Sequence, residues 1–194
     1  MLLSDLTDNN LISKYIKGDN LALETLILRH KAKVFTSILI LVKDKEQAED
    51  IFQETFIKVI KTLKKGTYHE EGKFLPWVIR IGHNLVIDHF RKNKRMPMVR
   101  DTDEYRITET LKLHEENIED HLVNSRIREQ VRQMVDLLPI EQREVVIMRH
   151  FGDMSFKEIS ECTNVSINTS LGRMRYALIN LRKIISEKEL VLVK

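Results

Sequence analysis

Side chains suited to reading duplex DNA occur together near the carboxyl end of the sequence. The polar and small residues there are Ser166, Asn168, Thr169, Gly172, Arg173 and Tyr176. At a helical period of 3.6 residues, those from Asn168 onward lie opposite an apolar stripe. An arginine can reach base acceptors or phosphates, and a glycine permits close approach of the backbone. The pattern predicts a helix that binds duplex DNA, and an ordinary solvated helix face is the alternative.

The segment that would position these residues has the helix-capping and turn residues of a helix-turn-helix. A capping box at Ser155 and Glu158 opens a short helix, Thr163 and Asn164 turn the chain, and Ser166 can cap the last helix. We expect that last helix to bury one apolar stripe, formed by Ile167, Leu171, Met174, Leu178, Leu181 and Ile185. Such a motif can insert its second helix into the major groove.

A second candidate nucleic-acid site combines cations with an aromatic ring. At helical spacing, one stripe contains Lys73, Trp77, Arg80, Asn84, Asp88 and Arg91, with Lys92 beside it. Rings stack on bases and cations pair with phosphates, so this stripe is typical of nucleic-acid binding. Trp77 taken alone is more typical of a core residue than of a nucleic-acid site. Asp88 would repel phosphate, and we expect it to organise Arg91 or Asn84.

A third helix has an acidic face, formed by Glu46, Glu49, Asp50, Gln53 and Glu54. Next to basic stripes elsewhere, an acidic face favours a protein partner with a basic surface. Runs of charge are usually solvated helix faces, however, and from the residues alone that interpretation prevails.

No arrangement of residues suited to catalysis is present. The seven histidines are scattered, the six glycines form no phosphate-binding loop, and Cys162 is the single cysteine. The sequence therefore predicts no bound metal, no cofactor and no enzymatic activity. The longest apolar run covers residues 38–42, far short of a membrane span, and the acidic start has no basic n-region. We expect a cytoplasmic protein that does not insert into a membrane.

Composition points to an all-α fold. The 194 residues are 42% hydrophobic and 31% charged, and only six glycines and three prolines punctuate them, too few for the frequent turns of a β-rich fold. We predict an N-terminal helical domain at 1–96, an acidic linker at 97–123 and a C-terminal helix-turn-helix domain at 124–194. A solvated helix within a single domain is the alternative for the linker.

Three ordered motifs resemble bacterial RNA polymerase sigma factors. Residues 47–56, QAEDIFQETF, are similar to the helix that binds core polymerase in that family. Residues 74–84, FLPWVIRIGHN, followed by Asp88 and Arg91, resemble its promoter-melting helix. Residues 138–145 and 151–159 with the closing helix resemble its C-terminal helix-turn-helix. Order, spacing and length are similar to the small extracytoplasmic-function group. Leu171 and Gly172 replace a common basic residue and serine, which leaves promoter specificity open, and Gln47 replaces a common acidic residue.

The resemblance implies reversible binding to core RNA polymerase, recognition of a double-stranded minus-thirty-five element and binding of a melted minus-ten element. It makes the acidic face a polymerase site, with Glu49, Asp50, Gln53 and Glu54 as candidates. It leaves open whether an anti-sigma factor sequesters the chain. The alternatives are a helix-turn-helix regulator that binds an operator as a dimer, and a nucleic-acid-processing enzyme, which the missing catalytic cluster disfavours.

Overall fold

The computed structural model describes residues 2–69, 73–95 and 131–187, and every regular element within these ranges is helical. The helices fall into two compact units, one before residue 96 and one after residue 130. The predicted all-α class is confirmed. The predicted linker at 97–123 lies outside the described residues, and the bounds of the three predicted segments stay predictions. No helix among the described residues is both long and apolar enough to cross a membrane.

The first unit contains a short 3-10 helix and four α-helices. In chain order these are the 3-10 helix Leu3–Asp5, α1 (Asp8–Ile16), α2 (Asn20–Val42), α3 (Lys45–Lys64) and α4 (Phe74–Arg95). Helix α2 packs against α1, α3 and α4, and α3 also packs against α4. The starts of α1, α2 and α3 follow from local chemistry, because Thr7, Asp19 and Asp44 each accept a hydrogen bond from a backbone N–H of the first turn.

The core of the first unit forms where α2, α3 and α4 meet. The largest side chains buried there include those of Leu26, Val34, Ile38, Val59, Leu63, Phe74 and Val78. Gly82 lies at this junction, where an added Cβ would come 3.3 Å from Ile38 Cδ1 and 3.5 Å from Thr55 Oγ1. A glycine at this position lets α4 lie close to α2 and α3, and so fixes which side of α4 remains exposed.

The second unit is the predicted helix-turn-helix. Helical residues 131–136 precede α5 (Ile140–His150), α6 (Phe156–Thr163) and α7 (Ile167–Glu187). The Ser155–Glu158 capping box is present, Asn164 turns the chain at φ 54°, and Ser166 Oγ accepts a hydrogen bond from Thr169 N at 3.0 Å. The capping box, the turn and the Ser166 cap were all predicted, because each depends on residues only a few positions apart.

The predicted buried stripe of α7 is wrong in phase. Ile167, Leu171 and Leu178 are 44–45% exposed, whereas Ser170 and Ala177 are completely buried. The small side chains of Ser170 and Ala177 let α7 pack closely on α5 and α6. Met174 and Leu181 border both lines and are half-buried. The hydrophobic pattern therefore predicted the helical period correctly, but the residues that are buried lie about one position away from the predicted ones.

A buried arginine that sequence reasoning missed closes the turn before α5. The Arg143 guanidinium donates to the carbonyl oxygens of Asp136 at 2.7 Å and Leu138 at 2.9 Å. These carbonyls lie at the end of the preceding helix, which has no intrahelical donor for them. Burial lowers the pKa of Arg143 from its ordinary value, and the Asp136 carboxylate opposes this shift. Arg143 therefore has a structural role.

Candidate nucleic-acid and protein-binding surfaces

The predicted cationic and aromatic stripe lies along one side of α4. Helix α4 is continuous, so residues four and seven apart share a face. The opposite face is buried through Phe74, Val78 and Val86. The stripe residues are exposed or half-buried in every case: Lys73, Trp77, Arg80, Asn84, Asp88, Arg91 and Lys92. The structure thus brings the α4 candidates together on one accessible surface.

Trp77 belongs to an aromatic cluster that sequence reasoning did not find. Its ring centroid lies 4.6 Å from that of Tyr68 and 5.9 Å from that of Phe74. Tyr68 comes from the segment between α3 and α4, so no helical period connects it to Trp77. Trp77 is half-buried. One part of the indole therefore packs in the cluster while another part remains available to a ligand.

The aromatic cluster is joined to α1 through a buried histidine. The His30 ring lies 5.5 Å from that of Phe74, and His30 Nε2 lies 2.8 Å from Asp8 Oδ2. Arg29 donates to Asp8 Oδ1 at 2.7 Å. Partial burial raises the pKa of Asp8, but the hydrogen bonds and charges of His30 and Arg29 together outweigh it and hold that pKa below its ordinary value.

Asp88 has the organising position that its sequence predicts. Its Oδ1 lies 3.7 Å from Arg91 Nη1, and both side chains are largely exposed. A pair of this kind contributes little to stability because water screens it. Its effect is to orient Arg91 on the α4 surface and to reduce the local positive charge.

The acidic candidates share the outward face of α3. Glu49, Asp50, Gln53 and Glu54 are all exposed, while Ile51 and Phe56 on the other side are buried. Glu54 pairs with Lys58 at 3.4 Å. The same face contains Ile57, which is 49% exposed and which sequence reasoning did not single out. Its spacing of four residues from Gln53 is the sequence signal that predicts this exposure.

The candidates on α7 lie at its start and within its first three turns. Asn168, Thr169 and Tyr176 are exposed, and Gly172 and Arg173 are half-buried. Ser166 is exposed but its hydroxyl is already engaged, since it accepts from Thr169 N and lies 2.9 Å from Thr169 Oγ1. At Gly172 an added Cβ would meet no atom within 4 Å. The fold of this chain therefore does not require a glycine there.

The α5–α6 connection holds α7's partner helix in place. The Arg149 guanidinium lies 5.5 Å from the centre of the Phe156 ring, and Arg149 donates to the Met154 carbonyl at 2.8 Å. Met154 is completely buried. These contacts fix the start of α6, the first helix of the helix-turn-helix. Cys162 on α6 is half-buried.

Two protein-family models match the chain in order. Sigma-70 region 2 matches residues 26–96, which include the exposed faces of α3 and α4. Sigma-70 region 4 matches residues 128–173, which include α5, α6 and the start of α7. The gap between the two matches, residues 97–127, includes the predicted acidic linker.

Whole-length relatives give the same result. The chain is 28% identical over 178 residues to the ECF RNA polymerase sigma factor SigW of Bacillus subtilis. The aligned region covers 89% of this chain and 93% of SigW. It is 26% identical over 185 residues to the RNA polymerase sigma-H factor of Pseudomonas aeruginosa, an alignment that covers 91% of this chain and 94% of that relative. It is also 26% identical over 183 residues to the ECF RNA polymerase sigma-E factor of Escherichia coli, with 90% and 94% covered.

Two solved structures share the fold. CnrH in complex with the cytosolic domain of CnrY has a TM-score of 0.60 at 19% identity, over 93% of this chain and 97% of that chain. The sigma factor RpoE in complex with the anti-sigma factor NepR, from Bartonella quintana, has a TM-score of 0.63 at 15% identity, over 84% and 96%.

Proposed function

We propose how this chain works from the premise that it belongs to the extracytoplasmic-function group of bacterial RNA polymerase sigma factors. A sigma factor directs core RNA polymerase to promoters. The observation that carries the proposal is that both sigma-70 regions occur in one chain, and that each contains an exposed surface of the chemistry its role requires. Three surfaces divide the work.

The first surface binds core polymerase. Glu49, Asp50, Gln53 and Glu54 present carboxylates and an amide on the outward face of α3. Their charge is complementary to a basic partner surface, and long-range attraction of this kind accelerates association and sets the register of the complex. The fold does not need these side chains, because the opposite face of α3 forms the core contacts.

The second surface binds the melted minus-ten strand. Trp77 offers part of its indole to an unpaired base, and stacking of one base on an aromatic ring is worth about 1–3 kcal/mol. Lys73, Arg80, Arg91 and Lys92 supply positive charge for the phosphates of that strand, and Asn84 supplies a polar group. Because a paired base cannot stack on a protein ring, binding here favours the open duplex.

The third surface reads the minus-thirty-five element as duplex DNA. Asn168, Thr169 and Tyr176 are exposed on α7, the second helix of the helix-turn-helix, and Arg173 is half-buried beside them. Gly172 leaves room for a phosphate or a base edge close to the helix backbone. We assign Ser166 to this surface as the cap that fixes the start of α7.

One further partner and a location follow from the family. The solved relatives include a sigma factor in complex with an anti-sigma factor, and we propose that an anti-sigma factor can sequester this chain too. We place the protein in the cytoplasm, with polymerase and promoter DNA. We ascribe no chemistry to the chain itself, since the polymerase forms the phosphodiester bonds.

Association with core polymerase tests the proposal against an operator-binding regulator. A helix-turn-helix regulator would explain α6 and α7 but would leave the α3 and α4 surfaces without a role. We expect the purified chain to co-migrate with core RNA polymerase on a native gel and to shift promoter DNA specifically only in that complex. Specific operator binding as a dimer, with no association with polymerase, would contradict the proposal.

A further inference from the structure

Ile57 is an apolar residue that the fold leaves in solvent. Its side chain is 49% exposed, whereas Phe56 and Val59 beside it on α3 are buried. Exposed apolar residues are common singly on protein surfaces, so exposure alone indicates nothing. The position of Ile57 among its neighbours is what distinguishes it.

Ile57 lies at the middle of the outward face of α3. Gln53 is four residues before it and Lys61 four residues after it, so all three share a side of the helix. Both of these neighbours are exposed. The face of α3 opposite Ile57 is the one that packs into the first unit. Ile57 is therefore directed away from its own core.

The charges on this face change sign at Ile57. Before it the exposed residues Glu46, Glu49, Asp50 and Glu54 are acidic, and after it Lys58, Lys61 and Lys64 are basic. At a rise of 1.5 Å per residue, Ile57 lies about 10 Å along the axis from Asp50 and about 6 Å from Lys61. A partner lying along α3 would contact acidic side chains first, then the apolar side chain of Ile57, and then basic side chains.

We propose that Ile57 is the apolar anchor of the α3 surface for core polymerase, an inference that rests on the proposed function. The occupant is a polymerase segment with basic side chains facing 46–54 and an apolar contact at position 57. Interfaces concentrate affinity in a few apolar or aromatic residues surrounded by polar ones that exclude water. The carboxylates steer the encounter, and Ile57 slows dissociation because its burial against the polymerase removes apolar surface from water.

Affinity for core polymerase, measured with the full chain at two salt concentrations, tests the inference. The variants are Ile57→Ala, Ile57→Gln, the charge-removing pair Asp50→Asn with Glu54→Gln, and Leu28→Ala. Leu28 is the matched control, since it is an exposed apolar residue, 53% accessible, on α2 of the same unit. The glutamine variant keeps side-chain length and helix propensity, so it guards against a loss caused by folding.

We expect both Ile57 variants to raise Kd about tenfold or more, with a loss that is similar at about 0.1 M and 0.4 M salt. The charge-removing pair should lose affinity mainly at the lower salt, and Leu28→Ala should bind like the wild type. If Ile57→Gln binds within about twofold of wild type while the charge-removing pair is weakened, the anchor is wrong and the α3 surface stands. If neither weakens binding, the proposed polymerase surface is wrong as well.

Discussion

The packing of the described residues does not explain why position 172 is a glycine. In a helix interior, glycine is less favourable than alanine by about 0.8–1 kcal/mol, and no contact among the described residues excludes a Cβ at this position. The proposed reason is close approach of DNA to the first turns of α7. The residue would then contribute to promoter binding at the expense of stability.

Gly172→Ala should therefore have two opposite effects. We expect an unfolding free energy higher by about 1 kcal/mol, measured by thermal melting, and a weaker affinity for the promoter duplex, measured by fluorescence anisotropy. Ser186→Ala, an exposed change near the end of the same helix, is the control and should leave DNA affinity unchanged. A more stable Gly172→Ala protein with unchanged duplex affinity would show that DNA does not approach this position.

Asp8 carries a pH dependence whose sign follows from its surroundings. Its pKa lies below the ordinary value of 3.8 because Arg29 and His30 bind the ionised carboxylate. A lowered folded-state pKa means that the carboxylate stabilises the fold above about pH 4, and that this stabilisation is lost as the pH falls through the folded-state pKa.

Asp8→Asn should lower the unfolding free energy by about 1 kcal/mol near neutral pH. The difference from wild type should shrink as the pH falls below the ordinary carboxyl pKa, because Asp8 of the unfolded wild-type chain then binds a proton. It should be smallest below the folded-state pKa, where both folded proteins lack the charge. Chemical denaturation at a series of pH values measures this. Asp5→Asn, an exposed change in the preceding 3-10 helix, is the control. A difference that persists unchanged in acid would contradict the role assigned to the Asp8 charge.

At the scale of helices, we propose different tasks for two elements. Helix α4 presents a ring that can stack on an unpaired base, and α7 presents polar side chains suited to a duplex. Arg173 lies one turn from Thr169, where it can reach a base edge or a phosphate. A lost bidentate base contact would cost about 1–3 kcal/mol, and a lost phosphate contact less.

We expect Arg173→Ala to weaken duplex binding at the upstream element and Trp77→Ala to slow strand opening with closed-complex binding nearly intact. Permanganate footprinting of unpaired thymines measures opening, and thermal melts of both variants control for folding, since Trp77 also packs on Tyr68. A folded Trp77→Ala variant that opens promoters at the wild-type rate would remove the melting role from α4. If Arg173→Ala lost opening but kept duplex binding, the two helices would be assigned in the wrong order.

Local signals predicted most of the elements, and long-range packing accounts for the errors. The caps Asp19, Ser155 and Ser166 act on backbone groups two or three residues away, so their sequence signatures suffice. The buried line of α7 depends on α5 and α6, and its small residues Ser170 and Ala177 carry no hydrophobic signal. Tyr68 was missed because it reaches Trp77 from outside any helix. Ile57 was missed although its spacing from Gln53 places it on the polar side of α3.

At the scale of the whole chain, the division into two DNA-binding parts remains a prediction. We expect a fragment covering residues 125–194 to fold alone and to bind promoter DNA weakly. Its affinity should fall steeply with salt if Arg173, Arg175 and Arg182 neutralise phosphates, and removing one of them should reduce the salt slope by about 1. Circular dichroism and salt titrations of binding measure both properties. An unfolded fragment, or an affinity independent of salt, would contradict this division.

The central claim is that one chain selects promoters for core polymerase and helps to open them. Transcription by core polymerase with this protein on a library of genomic fragments, followed by mapping of start sites, tests it most directly. The account predicts initiation at a restricted set of sites that share two upstream elements, all of them absent when the protein is omitted. Start sites that are the same with and without the protein would contradict the claim.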